Sequence, residues 1–189
     1  MISGGGRTLI NLAEATWDGR LPLARIAGVI SSTGPGTEGY ERAKGLGVEV
    51  VHLPEHPSAA VLEQTVMAMG ADLVVLAGYL KRLEVPVSLS GRIVNIHPAL
   101  LPDFGGKGMY GRRVHEAVLA RGAAQSGCTV HVVDAEYDHG PVLLQRRCPV
   151  LPGDTPETLG ARVFEEEKVA YVEALNALLG GKVSTEVAQ

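Results

Sequence analysis

Cysteine is scarce in this chain: Cys128 and Cys148 are the only two among 189 residues. They lie far from any metal-ligand spacing, and a chain of this size without a cysteine framework reads as reduced and intracellular, with the cytoplasm as its default location. Both thiols are expected to pack in a core. No apolar run approaches the ~18 residues of a membrane-spanning helix, and the N-terminus lacks the basic flank and apolar stretch of a signal peptide. A membrane partner is therefore not expected. Positive charge is also short, since 17 Lys and Arg stand against 21 Asp and Glu, a formal net charge of −4. That balance supplies no global field for a polyanion such as tRNA or DNA, so no nucleic-acid partner is expected; a small anionic ligand stays compatible with it.

What is present fits an ordinary globular protein, with 46% hydrophobic and 20% charged residues, enough for one domain with a substantial core. We expect that domain over residues 1–181, with 182–189 as a loose tail. Short apolar, β-branched runs at Arg25 to Ile30, Val48 to Leu53, Asp72 to Ala77 and Arg92 to Ile96 read as buried strands. Tyr40 to Leu46 and Ala59 to Met69 read as helices between them. The alternation predicts an α/β fold, a single-domain, doubly wound and mostly parallel sheet whose ligands bind beyond the carboxyl ends of the strands. After Pro98 the rhythm changes to a glycine-rich stretch, Gly105 to Gly111, a helix from Arg112 to Arg121, and two strand-like runs, Gly127 to Asp134 and Val142 to Val150. A last helix starts after Thr155, a plausible N-cap followed by Pro156, and runs to about Leu179.

Ser3-Gly4-Gly5-Gly6-Arg7-Thr8 stands just ahead of a helix at Leu9 to Ala15. Backbone N–H groups and the helix dipole there suit a monophosphate, and Arg7 adds charge. Neither the dinucleotide glycine pattern nor the Walker loop is met, so a flexible glycine tail stands as the alternative. Such a loop normally follows a buried strand of ~5 to 6 residues, yet only Met1 and Ile2 precede Ser3. The first strand is thus expected to be truncated, leaving neighbouring backbone groups unpaired, and translation is expected to begin upstream.

Asn95-Ile96-His97-Pro98 closes the fourth strand, and period-two geometry sends Asn95 and His97 to one face. An amide that donates to an oxygen gaining charge and an imidazole that moves protons near neutral pH together suit acyl transfer. A lone histidine at a strand end is more often structural than catalytic, so the pair needs a third member. Asp138, in the turn Glu136-Tyr137-Asp138-His139-Gly140-Pro141, can supply a carboxylate that favours imidazolium, or can be an Asx-type turn residue. His131, Asp134 and His139 lack a recognised ligand spacing, so no metal is expected. Glu167 interrupts an otherwise apolar stripe of Leu159, Val163, Tyr171 and Ala174. It fits ribose hydroxyls or a half-exposed ion pair, whereas Glu165 and Glu166 fit a solvated face.

Asn95-Ile-His-Pro-Ala-Leu-Leu-Pro102, Gly127-Cys-Thr-Val-His-Val132 and Asp138-His-Gly-Pro141 together resemble the phosphoribosylglycinamide formyltransferases, folate-dependent enzymes of purine synthesis. The resemblance extends to Ser3 to Leu9, to Leu76-Ala-Gly-Tyr-Leu-Lys-Arg-Leu83 and to the last helix. It implies a Rossmann-like formyltransferase fold and direct transfer of a formyl group from 10-formyltetrahydrofolate, as co-substrate, to the amine of glycinamide ribonucleotide, without a metal. In that scheme Asn95 steadies the oxyanion, His97 donates a proton and Asp138 supports the imidazolium. Gly6, Arg7 and Thr8 would hold the phosphate and Glu167 the ribose. Leu80, Lys81, Arg82 and Leu83, with Asn95, would meet the folate, and Gly105 to Gly111 would form a flap. The usual folate-facing arginine after the third strand has no clear counterpart near Glu55 and His56, and the Gly105 to Gly111 loop departs from the familiar proline-glycine version. Monomer and homodimer both stay open. Two relatives share the centre: a formyltetrahydrofolate deformylase, which uses water as acceptor, and a methionyl-tRNA formyltransferase. Each normally carries another domain, which is not expected within these 189 residues. A non-catalytic mononucleotide-binding module is the alternative from another class.

Overall fold

The computed structural model describes residues 1–54 and 56–183. Glu55, and the expected tail from 184 onward, lie outside the described residues. The chain forms two compact units, Met1–Asn95 and Ile96–Gln189.

In the first unit, α1 (Arg7–Trp17), β1 (Val29–Ser31), α2 (Glu38–Gly45), β2 (Val50–His52), α3 (Ala59–Ala68) and β3 (Val74–Leu76) alternate, and β4 (Ile93–His97) crosses into the second unit. β1 pairs with β2 in parallel, Val29 opposite Val50, and β3 pairs with β4 in parallel, Leu76 opposite Asn95. The first three strands are only three residues long, shorter than the apolar runs predict. Hydrophobic pattern reports burial rather than ladder pairing: Ile26 and Val48 lie outside the strands, yet both pack on the cluster of Ile2, Leu9, Val29, Ala43 and Ala77.

The truncated first strand does not leave its neighbours unpaired, contrary to expectation. Ile2 N–H donates to Ile30 at 2.9 Å and its carbonyl accepts from Ser32 at 3.0 Å, while on the other side Ala77 N–H donates to the Met1 carbonyl at 2.8 Å and Ser3 N–H to Gly78 at 3.1 Å. Three residues therefore occupy the place of a strand between β1 and β3. Ile2 fills the space beneath them and is fully buried.

The second unit holds α4 (Arg112–Ala120), the antiparallel pair β5 (Gln125–Val132) and β6 (Val142–Pro149), and α5 (Pro156–Leu179). Two glycines permit the close pairing there. A Cβ at Gly127 would overlap the Arg146 carbonyl, and one at Gly140 would overlap that of Val132. α5 opens on a reciprocal cap: Thr155 accepts from Thr158 N–H while the Thr158 hydroxyl accepts from Thr155 N–H, with Pro156 in the first turn. Arg162, one turn further on, holds the buried Asp154 carboxylate at 2.7 Å. Leu159, Val163 and Tyr171 on the helix are fully buried against β5, β6 and α4.

Candidate active site

Asn95 and His97 lie two residues apart on β4, and alternation along the strand aims them to the same side. Asn95, the last residue of the first unit, is half-buried; His97 is buried. Within the second unit the His97 ring is held at both nitrogens. Nε2 donates to the Phe104 carbonyl at 2.8 Å, and Nδ1 lies 3.4 Å from Asp138 Oδ2. Asp138 Oδ2 also accepts from Gly106 N–H at 3.0 Å, and its Oδ1 faces His131 Nε2 at 3.7 Å. The carboxylate, 11% exposed, thus joins two histidines and the glycine-rich loop. Asp138 is both a turn residue and the partner of His97. Its φ of 54° lies in the left-handed region that Asp and Asn tolerate better than other side chains.

Sequence reasoning missed the part played by residues 104 to 106. Phe104, at φ 57°, turns its carbonyl toward His97. Gly105 is required because a Cβ there would press on the Leu101 side chain and on Asp138 Cβ, 3.2 Å away. These contacts are made by backbone and by the absence of a side chain, so no residue pattern announces them; the glycine-rich stretch was the only signal.

His131, Asp134 and His139 do not converge. His139 pairs with Asp134 at 2.8 Å, which raises the His139 pKa, whereas His131 Nδ1 donates to the Val132 carbonyl at 2.9 Å and its Nε2 turns to Asp138. Among the described residues no three His, Cys, Asp or Glu side chains are grouped to hold a metal. Burial pushes the pKa of His131 and of His115 down, and pushes the Cys128 thiol up to about 12. The cysteines are buried, as core packing predicts. Glu167 is half-buried on its stripe. Glu166, expected on a solvated face, is instead ion-paired with Arg146 at 2.7 Å, and the same guanidinium reaches Glu173 at 3.2 Å.

In the first unit the glycine loop is tied down. Gly6, at φ 75°, caps α1, which therefore begins at Arg7 and not at Leu9. Arg7 is exposed and Thr8 half-buried. Arg42 of α2 donates to the Gly5 carbonyl at 2.6 Å while ion-paired to Glu38 at 2.6 Å. Gly39, beside them, lets the loop approach, since a Cβ there would overlap the Gly4 carbonyl. Ser3 Oγ accepts from the Ser32 hydroxyl at 2.8 Å and from Leu80 N–H at 3.3 Å, which joins this loop to the segment 80–83. In that segment Leu80 is exposed, Leu83 buried, Lys81 half-buried and Arg82 exposed.

A family model described as formyl transferase matches residues 1–175. The chloroplastic phosphoribosylglycinamide formyltransferase of Vigna unguiculata is 43% identical over 183 residues, which make up 94% of this chain and 59% of that protein. The chain thus spans about three-fifths of the length of that plant relative. The crystal structure of glycinamide ribonucleotide transformylase 1 from Symbiobacterium toebii superimposes with a TM-score of 0.87 at 38% identity, covering 98% of this chain and 88% of that one. A formyltetrahydrofolate deformylase from Pseudomonas syringae pv. tomato gives 0.82 at 26% identity, covering 97% of this chain and 61% of that one. With a matched span that includes every residue of the His97 and Asp138 arrangement, this chain belongs to the formyl transferase family.

Proposed function

We propose that the chain transfers the formyl group of 10-formyltetrahydrofolate to the amine of glycinamide ribonucleotide, a step of purine synthesis. One observation carries the reading: a buried imidazole with a carboxylate 3.4 Å from its Nδ1, inside the matched family span. The amine nitrogen attacks the formyl carbon, and the Asn95 amide donates to the oxygen as it gains charge. The bond from that carbon to the folate nitrogen then breaks, with His97 delivering a proton to the leaving nitrogen. The proton shed by the attacking amine returns to His97, so none is consumed overall. Asp138 keeps a negative charge opposite the imidazolium through this cycle. Because Nε2 is engaged by the Phe104 carbonyl, proton delivery requires that bond to be exchanged for one to substrate.

The remaining roles follow the same reading. Gly6, Arg7 and Thr8 hold the ribonucleotide phosphate, Glu167 the ribose hydroxyls, and Leu80, Lys81, Arg82 and Leu83 the folate. Residues 1–181 act as one catalytic domain in the cytoplasm, on small molecules and without a metal. Likeness to a deformylase favours one second reading, in which water is the acceptor. Incubating 10-formyltetrahydrofolate with the protein, with and without glycinamide ribonucleotide, separates the two. Loss of formyl folate that depends on the ribonucleotide supports transfer; loss without it supports hydrolysis, and binding without turnover removes both. Asn95→Ala or His97→Ala is expected to lower turnover on the order of a hundredfold or more.

A further inference from the structure

Asp138 meets His97 from a turn that has little packing to hold it. The chain leaves β5 at Val132 and returns at Pro141, where the Val132 N–H donates to the Pro141 carbonyl at 2.9 Å. Gly140 is buried at that closure, but Ala135, Glu136, Tyr137 and His139 between the two ends are exposed. Exposed side chains do little to fix a backbone, so the shape of the turn rests on its hydrogen bonds. Asp134 supplies two of them from one carboxylate. Its Oδ1 accepts from the Glu136 N–H at 2.8 Å, and its Oδ2 accepts from His139 Nδ1 at 2.8 Å. The carboxylate thus spans the turn from its first residues to the residue directly after Asp138. Asp138 itself stands at φ 54°, a region that residues with a side chain keep only where their surroundings over-determine it. From there its carboxylate has to reach His97, His131 and the Gly106 N–H together. The charged groups that act on the largely exposed His139 ring are Asp134 first and Glu136 after it, and they raise its pKa above the ordinary histidine value. The ion pair is therefore complete below that raised value and relaxes to a neutral hydrogen bond as pH rises through it.

We propose that Asp134 and His139 form a clasp that sets where the Asp138 carboxylate stands, which makes both of them positioning residues for the proton transfer at His97. The kinetic part of this inference rests on the formyl-transfer reading; the structural part rests on the turn alone.

Two measurements on the full chain test it. The first follows the Gly106 amide, which donates to Asp138, by nuclear magnetic resonance across neutral pH, and it needs no turnover. In the wild-type chain the Gly106 shift follows the midpoint of the His139 ring, and Asp134→Asn, which keeps the shape and removes the charge, abolishes that dependence. A Gly106 amide indifferent to the His139 midpoint, or one that follows it equally in Asp134→Asn, overturns the proposal whether or not the chain transfers formyl groups. The second is a double-mutant cycle on kcat for acceptor-dependent transfer. Asp134→Ala, which removes both hydrogen bonds, lowers kcat about twofold to fivefold, the range that an exposed ion pair commands, with the unfolding temperature unchanged. In the Asp138→Asn background the same change has no further effect, because no charged carboxylate is left to place. His139→Ala gives part of the loss and adds nothing to Asp134→Ala. Losses that multiply in the Asp134 and Asp138 double variant mean that Asp134 does not act through Asp138, and they overturn the positioning role. So does a wild-type kcat in Asp134→Ala, and a wild-type kcat in His139→Ala removes His139 from the clasp. A wild-type chain without formyl transfer defeats the formyl-transfer reading instead, and the Gly106 measurement then decides the clasp.

Discussion

Replacing Asp138 by Asn tests the charge on the carboxylate with little else changed. Asn has the same shape, tolerates the φ of 54° at this position, and keeps an oxygen to accept from Gly106 N–H, now 3.0 Å away. Ala would do neither, since a left-handed residue without a short polar side chain costs on the order of 1 to 3 kcal/mol. What Asn removes is the negative charge 3.4 Å from His97 Nδ1. At an effective dielectric of ~20 the bare attraction across that distance is roughly 5 kcal/mol, an upper bound because both groups are largely removed from water. The worth that charge adds to a polar contact is about 1 to 2 kcal/mol, a smaller and better-founded difference. If that difference is felt only when the ring is charged on the way to the transition state, kcat falls about 5-fold to 30-fold while KM for both substrates stays within a factor of about two. Steady-state kinetics of acceptor-dependent formyl transfer, with thermal unfolding as a control for folding, measures this. A kcat unchanged within a factor of two, in a variant that unfolds at the wild-type temperature, would refute the role given to the carboxylate. So would a loss appearing wholly in KM.

Gly39→Ala is expected to displace the glycine loop, because its Cβ would overlap the Gly4 carbonyl; the measurable result is a KM for the ribonucleotide raised by about tenfold or more, and an unchanged KM would break the link between this loop and phosphate. Stability is expected to fall with acidification below about pH 6.5, the ordinary histidine value. Burial lowers the pKa of His115 and His131 in the folded state, so the unfolded chain binds more protons in that window and gains relative to the folded one as pH drops. His139, raised by Asp134, acts with the opposite sign, but from an exposed ion pair of small worth. Urea unfolding at pH 7 and pH 5.5 gives the sign, and equal or greater stability at the lower pH would contradict it. Both thiols should resist a thiol-specific reagent at pH 8 until the chain is denatured, since burial pushes Cys128 up to about 12 and raises Cys148 as well; rapid labelling of native protein would show the strands around them to be open.

The order of elements was legible along the chain because each carries its own local chemistry. Thr155 and Pro156 open α5 where capping residues should, and the β-branched run of β4 ends on Asn95 and His97 with the side-chain alternation that any strand imposes. Strand length was read less well: Ile26 and Val48 look like strand residues since both are partly buried, and burial is all that their hydrophobicity reports. Of the candidate residues, those set by local geometry could be paired in advance, as Asn95 with His97. Asp138 lies 41 positions beyond His97, and spacing alone favours reading it as a turn residue.

Sequence by itself therefore determined the α/β class, the element order, the glycine loop and the Asn95 and His97 pair suited to acyl transfer, all of which follow from patterns within a few residues. Only the tertiary structure decided that Asp138 meets His97, that Phe104 and Gly106 clamp the pair through backbone groups, and that three residues at the start of the chain suffice to join β1 and β3. The first is a side-chain contact between residues 41 positions apart, and the other two share one physical reason. Hydrogen bonds from backbone N–H and C=O groups are available at nearly every residue, so which of them meet is set by the path of the chain in space and not by the identity of the side chain.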